Sequence, residues 1–141
     1  MKIALGCDHG GYELKEYIKT VIEKAGHEYE DFGCYNLDSC DYPDFAHPMA
    51  NALEAGEFPR AIGICGSGEG MAMTLNKHAK VRAALCWIPE IAHMTRLHND
   101  SNVLVLPARY ISNEGALAIL EEWLSTEFEG GRHERRVNKI P

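Results

Sequence analysis

The chain lacks the features that mark several large classes of protein. Its 141 residues contain no Cys-x-x-Cys pair, and its five cysteines (Cys7, Cys34, Cys40, Cys65 and Cys86) are odd in number. That pattern argues against a disulfide framework and for a reducing compartment. No run approaches the ~18 apolar residues that a membrane span requires. The N-terminal stretch MKIALGCDHGG has too short an apolar run for a signal-peptide core and no cleavage-like site. A cytoplasmic location and no membrane partner are therefore expected. Basic charge is scarce: Lys and Arg total 14 against 21 Asp and Glu, a net charge of -7. This argues against a general nucleic-acid role, which needs cations to displace counterions from phosphate. An acidic protein can still hold a phosphorylated metabolite, provided its cations gather at one place. Internal repeats, low-complexity segments and domain linkers are also missing.

What is present alternates between strand and helix. Lys2 to Cys7 is a short apolar run ending in Asp8-His9-Gly10-Gly11, which reads as a buried strand and a turn. Leu14, Tyr17, Ile18, Val21, Ile22 and Ala25 recur at helical spacing, and Gly26 stops that helix. His27 to Phe32 predicts a strand, residues 33 to 44 a polar loop, and Phe45 to Ala55 a helix with Pro48 in its first turn. Arg60 to Ile64 predicts a strand, and Met71 to His78 opens a helix. Val81 to Leu85 and Asn102 to Leu106 predict strands. Helices are expected over Pro89 to His98 and Asn113 to Thr126. Five strands alternating with helices imply an α/β fold. The expectation is a single three-layer α/β/α domain over 1–141, built on a five-stranded parallel Rossmann-like sheet. Such sheets bind ligands at the carboxyl ends of their strands. That rule puts Asp8-His9, Cys65 to Gly70 and the loop after the fourth strand on one rim.

The strongest local signal is Cys65-Gly66-Ser67-Gly68-Glu69-Gly70, between a strand and a helix. Glycines there allow a tight turn and point N–H groups at a ligand, and the helix start adds partial positive charge. An anion is favoured in that cradle, and the same surroundings lower a thiol pKa, so Cys65 is expected to be partly thiolate near neutral pH. The plainer alternative is a tight turn with Cys65 as a small buried hydrophobe. A dinucleotide loop fits poorly, because the spacing is Gly66-x-Gly68-x-Gly70 after the third strand. A Walker-type loop lacks its Gly-Lys-Ser/Thr, and a thiol phosphatase lacks its loop Arg.

Histidines and the tail are less specific. His98, followed by Asn99 and Asp100, is either a proton donor or a polar cap, and His9 after Asp8 either meets a ligand or lies in a turn. His93 and His98 are five apart and share no helical face, so no zinc site is expected on them. His27, His47, His78 and His133 form no usable pattern. Arg132 and Arg136, four apart in the basic tail (about 127–141), would share a helical face, and paired guanidinium groups suit phosphate. A solvated basic end is the alternative, although this is the densest cationic cluster in the chain.

Taken together these segments resemble the type B ribose-5-phosphate isomerases, a family that also contains the galactose-6-phosphate isomerase subunits. The resemblance runs nearly the full length. It is carried by Ile3 to Gly11, Asp41-Tyr42-Pro43-Asp44, Gly63 to Met71, Asn76-Lys77, His98 to Leu104 and Gly130-Gly131-Arg132-His133. It implies an aldose–ketose isomerase that moves a proton between two carbons, with Cys65 as the base and His98 opening the furanose ring. Ser67, where many relatives have Thr, would contact the reacting oxygens. The N–H groups of Gly66, Gly68, Glu69 and Gly70 would form an anion hole. Asp8 and Tyr42 would contact the sugar, with Asn99 beside His98, and His9, Arg132 and Arg136 would hold the phosphate, with Arg109 nearby. Some members use a Glu as base where this chain has Met71, which places it in the cysteine branch. Pro107 stands where a small residue, usually Gly, precedes Ala108-Arg109. The resemblance further implies no cofactor, no metal, and a homodimer or homotetramer whose sites are shared between subunits. Two alternatives stand beside it: the same chemistry on allose or galactose 6-phosphate, and a sugar-phosphate-binding module without catalysis.

Overall fold

Side-chain size alternates along three strands, β1 (Lys2–Cys7), β3 (Arg60–Cys65) and β5 (Val103–Pro107), in the computed structural model, which describes residues 1–141. Ile3, Leu5, Ile62, Ile64, Leu104 and Leu106 face one side, under α1 (Tyr12–Lys24), α4 (Pro89–Asn99) and α5 (Asn113–Ser125). Smaller residues, Ala4, Gly6, Ala61 and Gly63, face the other, under α2 (Pro43–Glu54) and α3 (Glu69–Leu75). Small residues let those two helices lie close: Met49 covers Gly6 and Met71 covers Gly63. Strands β2 (Glu28–Asp31) and β4 (Ala83–Leu85) form the edges, in the all-parallel order β2-β1-β3-β5-β4. The result is the expected three-layer α/β/α arrangement. A last helix, α6 (Arg132–Val137), packs on α4.

Boundaries moved where proline and glycine chemistry was misread. Helix α2 begins at Pro43, two residues early, because Pro43 takes the first position; Pro48 therefore lies inside the helix. Helix α3 begins at Glu69 rather than Met71 and ends at Leu75 rather than His78, and β4 is only three residues long.

One polar group is buried deep in the α1 layer. Lys15 is 0% exposed; its Nζ donates to both Asp31 oxygens, at 2.8 and 2.9 Å, and to the Cys34 carbonyl. Lys19 Nζ also meets Asp31, at 2.7 Å. Burial pushes the Asp31 carboxyl up, but hydrogen bonds from Lys15, Lys19 and the Gly33 N–H outweigh it and hold the group below the usual range. Its stabilisation is thus present above the unfolded carboxylate pKa and is lost as pH falls through the lower folded value. Lys15→Met is expected to reduce unfolding free energy at neutral pH by about 2 kcal/mol, since it leaves the Cys34 carbonyl without its lysine and removes one of two lysines from Asp31, which keeps Lys19 and the Gly33 N–H. Urea unfolding measures this, and an unchanged midpoint would show the pair to be neutral.

Candidate active site

Strand β3 ends at Cys65 and passes into α3 through Gly66-Ser67-Gly68. Gly68 has φ 78°, and a Cβ there would overlap the Leu85 side chain, so only glycine fits. A Cβ at Gly70 would overlap the Tyr42 ring, which brings the phenol against the loop. Cys65 is 4% exposed, and its Sγ accepts the Gly68 N–H at 3.2 Å. The Glu69 N–H points to Ser67 Oγ at 3.3 Å. These two N–H groups are engaged within the loop rather than left free for an anion, a departure from the sequence expectation.

The thiol departs further. Burial and, after it, the nearby Asp8 carboxylate push Cys65 above the ordinary thiol range; N–H groups of Met71, Gly68 and Ser67 pull it back only in part. The expectation of a partly ionised thiol at neutral pH is therefore corrected for the isolated chain. Desolvation in the α2–α3 layer outweighs the backbone dipoles.

Around Cys65 the carboxyl ends of β1 and β5 supply the remaining walls. Asp8 accepts the Gly11 N–H at 3.2 Å and starts a single 3-10 turn at His9–Gly11. His9 Nδ1 accepts the Cys40 N–H at 3.2 Å, so the neutral ring carries its proton on Nε2. Pro107 closes β5 opposite Cys65, and the Ala108 and Arg109 N–H groups bond to the Cys65 and Gly66 carbonyls at 3.0 and 2.9 Å. The missing glycine at 107 thus does not displace Arg109, whose guanidinium rides over Gly66. Asp8, His9, Gly10, Tyr42, Cys65, Gly66, Ser67, Gly70 and Arg109 line one cleft of about 360 Å³. Glu69 turns away and lines a neighbouring cavity with Trp87, Ile88 and Tyr110. Met71, where a carboxylate base would stand, is fully buried against Gly63.

His98, Asn99, Arg132 and Arg136 are not part of this cleft within one chain. Helix α4 runs back across the sheet, and Arg96 ties its end down through Asp100 Oδ1 at 2.9 Å, the Ser101 carbonyl at 2.6 Å and the Thr126 carbonyl at 3.2 Å. The Ala61 N–H donates to the Asn102 carbonyl, so this end of α4 sits beside the start of β3. Cys65 ends the same strand four residues later, about 13 Å along the sheet. Asn99 opens instead onto a separate cleft with Asn76, Arg82 and Ser101. Arg132 and Arg136 lie one turn apart on α6, exposed, as their spacing suggested.

Beside His98 the structure assembles groups that sequence reasoning passed over. His133 stacks on its ring with centroids 4.1 Å apart, and Glu129 Oε2 lies 3.7 Å from Nε2 of each histidine. These are the residues best disposed to hold a metal, with donor atoms within 4.8 Å of one another. The four-residue spacing of Glu129 and His133 was the available signal; that the tail folds onto α4 was not visible.

No helix is long and apolar enough to cross a membrane. The model of the Ribose/Galactose Isomerase family matches residues 3–140. Ribose-5-phosphate isomerase B of Escherichia coli is 42% identical, over 99% of this chain and 93% of that protein. The structure of Clostridium thermocellum ribose-5-phosphate isomerase B superposes with TM-score 0.98 at 47% identity, covering 99% of this chain and 95% of that one. The Mycoplasma genitalium isomerase B, solved with bound ribulose-5-phosphate, superposes with TM-score 0.94 at 35% identity, over 99% and 93%. With a family match that spans almost every residue, the chain belongs to the ribose/galactose isomerase family.

Proposed function

We propose that the chain interconverts ribose 5-phosphate and ribulose 5-phosphate. The observation that carries this reading is a single cleft at the strand ends, where Cys65 meets Asp8, His9, Tyr42, Ser67 and Arg109. Cys65 takes the proton from C2 of the open-chain aldose and returns it to C1, while a proton passes from O2 to O1. Substrate electrons rearrange through an enediolate, so the net change needs no redox cofactor. Ser67 and the remaining loop N–H groups stabilise the enediolate oxygens. Asp8 and Tyr42 orient the hydroxyls, and His9 and Arg109 begin a phosphate clamp.

The clamp and the ring-opening acid are completed by a second copy of the chain. Its His98 protonates the ring oxygen, its Asn99 binds beside it, and its Arg132 and Arg136 close on the phosphate. The separation of Cys65 and His98 to opposite strand ends supports this homodimeric arrangement, in which the tail from about 127 to 141 serves the site rather than forming a domain of its own. A cytoplasmic enzyme fits the free cysteines, all five of which are unpaired.

The test is conversion of ribose 5-phosphate to ribulose 5-phosphate by the purified protein in chelator. Turnover establishes the activity. Turnover only of allose or galactose 6-phosphate would move the substrate to six carbons. Tight binding of sugar phosphates without turnover of any would favour a binding module instead.

A further inference from the structure

The tail builds a polar cluster beside α4 that has a second use. Backbone pairing of the Glu129 N–H with the Leu97 carbonyl, at 3.0 Å, anchors the tail to the end of that helix. One turn later His133 comes to rest against His98, with the ring planes 13° apart. His133 is only 6% exposed, and its Nε2 has no hydrogen-bond partner. The nearest acceptor in the cluster, Glu129 Oε2, is 3.7 Å away, too far for a hydrogen bond. A buried ring nitrogen left unpaired is uncommon and marks a group awaiting a partner.

We propose that His98, Glu129 and His133 form a site for one divalent transition-metal ion of the zinc class, and that the bound ion takes His98 away from the sugar. Two imidazoles and one carboxylate suit zinc, which takes such three-ligand sets with a fourth position open. In the single chain half the Glu129 side chain and a third of the His98 side chain are exposed, which leaves that position open on the face His98 presents to the second copy. Zinc bonds of about 2.0–2.2 Å place tetrahedral donors about 3.3 Å apart. The two carboxylate–imidazole separations of 3.7 Å need to close by a few tenths, and the donors as a set, now within 4.8 Å of one another, must draw together further as one ring turns out of the stack so that both lone pairs converge. Imidazole donors select against calcium and magnesium, which prefer oxygen. Arg132 and Arg136 on α6 oppose a cation, and the Glu129 charge offsets them in part. Affinity should accordingly be below that of a closed four-ligand site.

The site stands on its own geometry; only the loss of activity rests on the ring-opening role of His98. Chelator-treated full-length protein is titrated with Co²⁺, read by visible absorption, and with Zn²⁺, read by calorimetry. One ion per chain is expected, with d–d bands and no thiolate charge-transfer band. His133→Gln and Glu129→Gln should each weaken binding at least 10-fold, the least that lost outer-sphere partners of a metal cost. Cys65→Ser should leave binding intact. No stoichiometric ion, or an ion lost in Cys65→Ser and kept in His133→Gln, overturns the site. Stoichiometric Zn²⁺ should lower ribose 5-phosphate turnover at least tenfold, reversibly in chelator. Full turnover with the ion spectroscopically in place would overturn the loss-of-activity claim and with it the role given to His98.

Discussion

Cys65→Ser is expected to lower kcat/KM for ribose 5-phosphate by about a thousandfold, within the range that a positioned general base contributes. Serine keeps the shape of the side chain, so the fold should hold, yet its hydroxyl ionises far too high to take a carbon-bound proton. Residual turnover within tenfold of the wild type would remove Cys65 from the role of base; Glu69 is then a poor replacement, since it lines the adjoining cavity. The pH profile gives an independent reading. A base must be deprotonated to act, and burial together with Asp8 raises this thiol. Below its pKa the thiolate fraction falls tenfold per pH unit. For the free enzyme, kcat/KM should therefore climb with pH through neutrality and past the ordinary thiol value of about 8.5, with no neutral plateau. Asp8→Asn removes one of the raising influences and should move that limb to lower pH. A limb that stays in place would mean that burial alone sets the thiol.

The layered fold was legible because strand and helix periods differ, and because each strand ends in its own turn chemistry. Cys65, Ser67, Asp8 and His9 follow from the rule that parallel sheets bind ligands at carboxyl ends, and they do meet in one cleft. His98 shows where such reasoning stops. A helix after a parallel strand must run back along the sheet, so a residue at the end of α4 is delivered to the opposite end of the strands from one at the end of β3. Nothing in the spacing of a single sequence says which end of the sheet a second copy will cover. The thiol pKa was misjudged for a different reason: N–H dipoles can be read from glycines, but burial under α2 and α3 comes from tertiary packing. Glu129 and His133 were legible as a pair four apart, yet their meeting with His98 depends on the Leu97 carbonyl capturing the tail.

Separation of the two halves of the site has a direct genetic consequence. His98→Gln alone should reduce turnover by about a hundredfold, as expected for loss of one acid–base group, and Cys65→Ser alone by more. If each site takes Cys65 from one protomer and His98 from its partner, the two defects complement. In a twofold dimer of one chain of each kind, one site carries both substitutions and the other carries neither. Co-expressing the variants in equal amounts, or refolding them together from urea, makes about half the dimers mixed, so activity should recover to roughly a quarter of the wild type. Refolding each variant separately and then mixing should recover nothing beyond the sum of the two, until subunits exchange. The recovery is large against a background of one per cent or less, so the result is decisive in either direction. Failure to recover, with mixed dimers demonstrated by mass, would require Cys65 and His98 to act within one chain. That would demand a displacement of about 13 Å along the sheet, against the clasp of Arg96 on Asp100, Ser101 and Thr126.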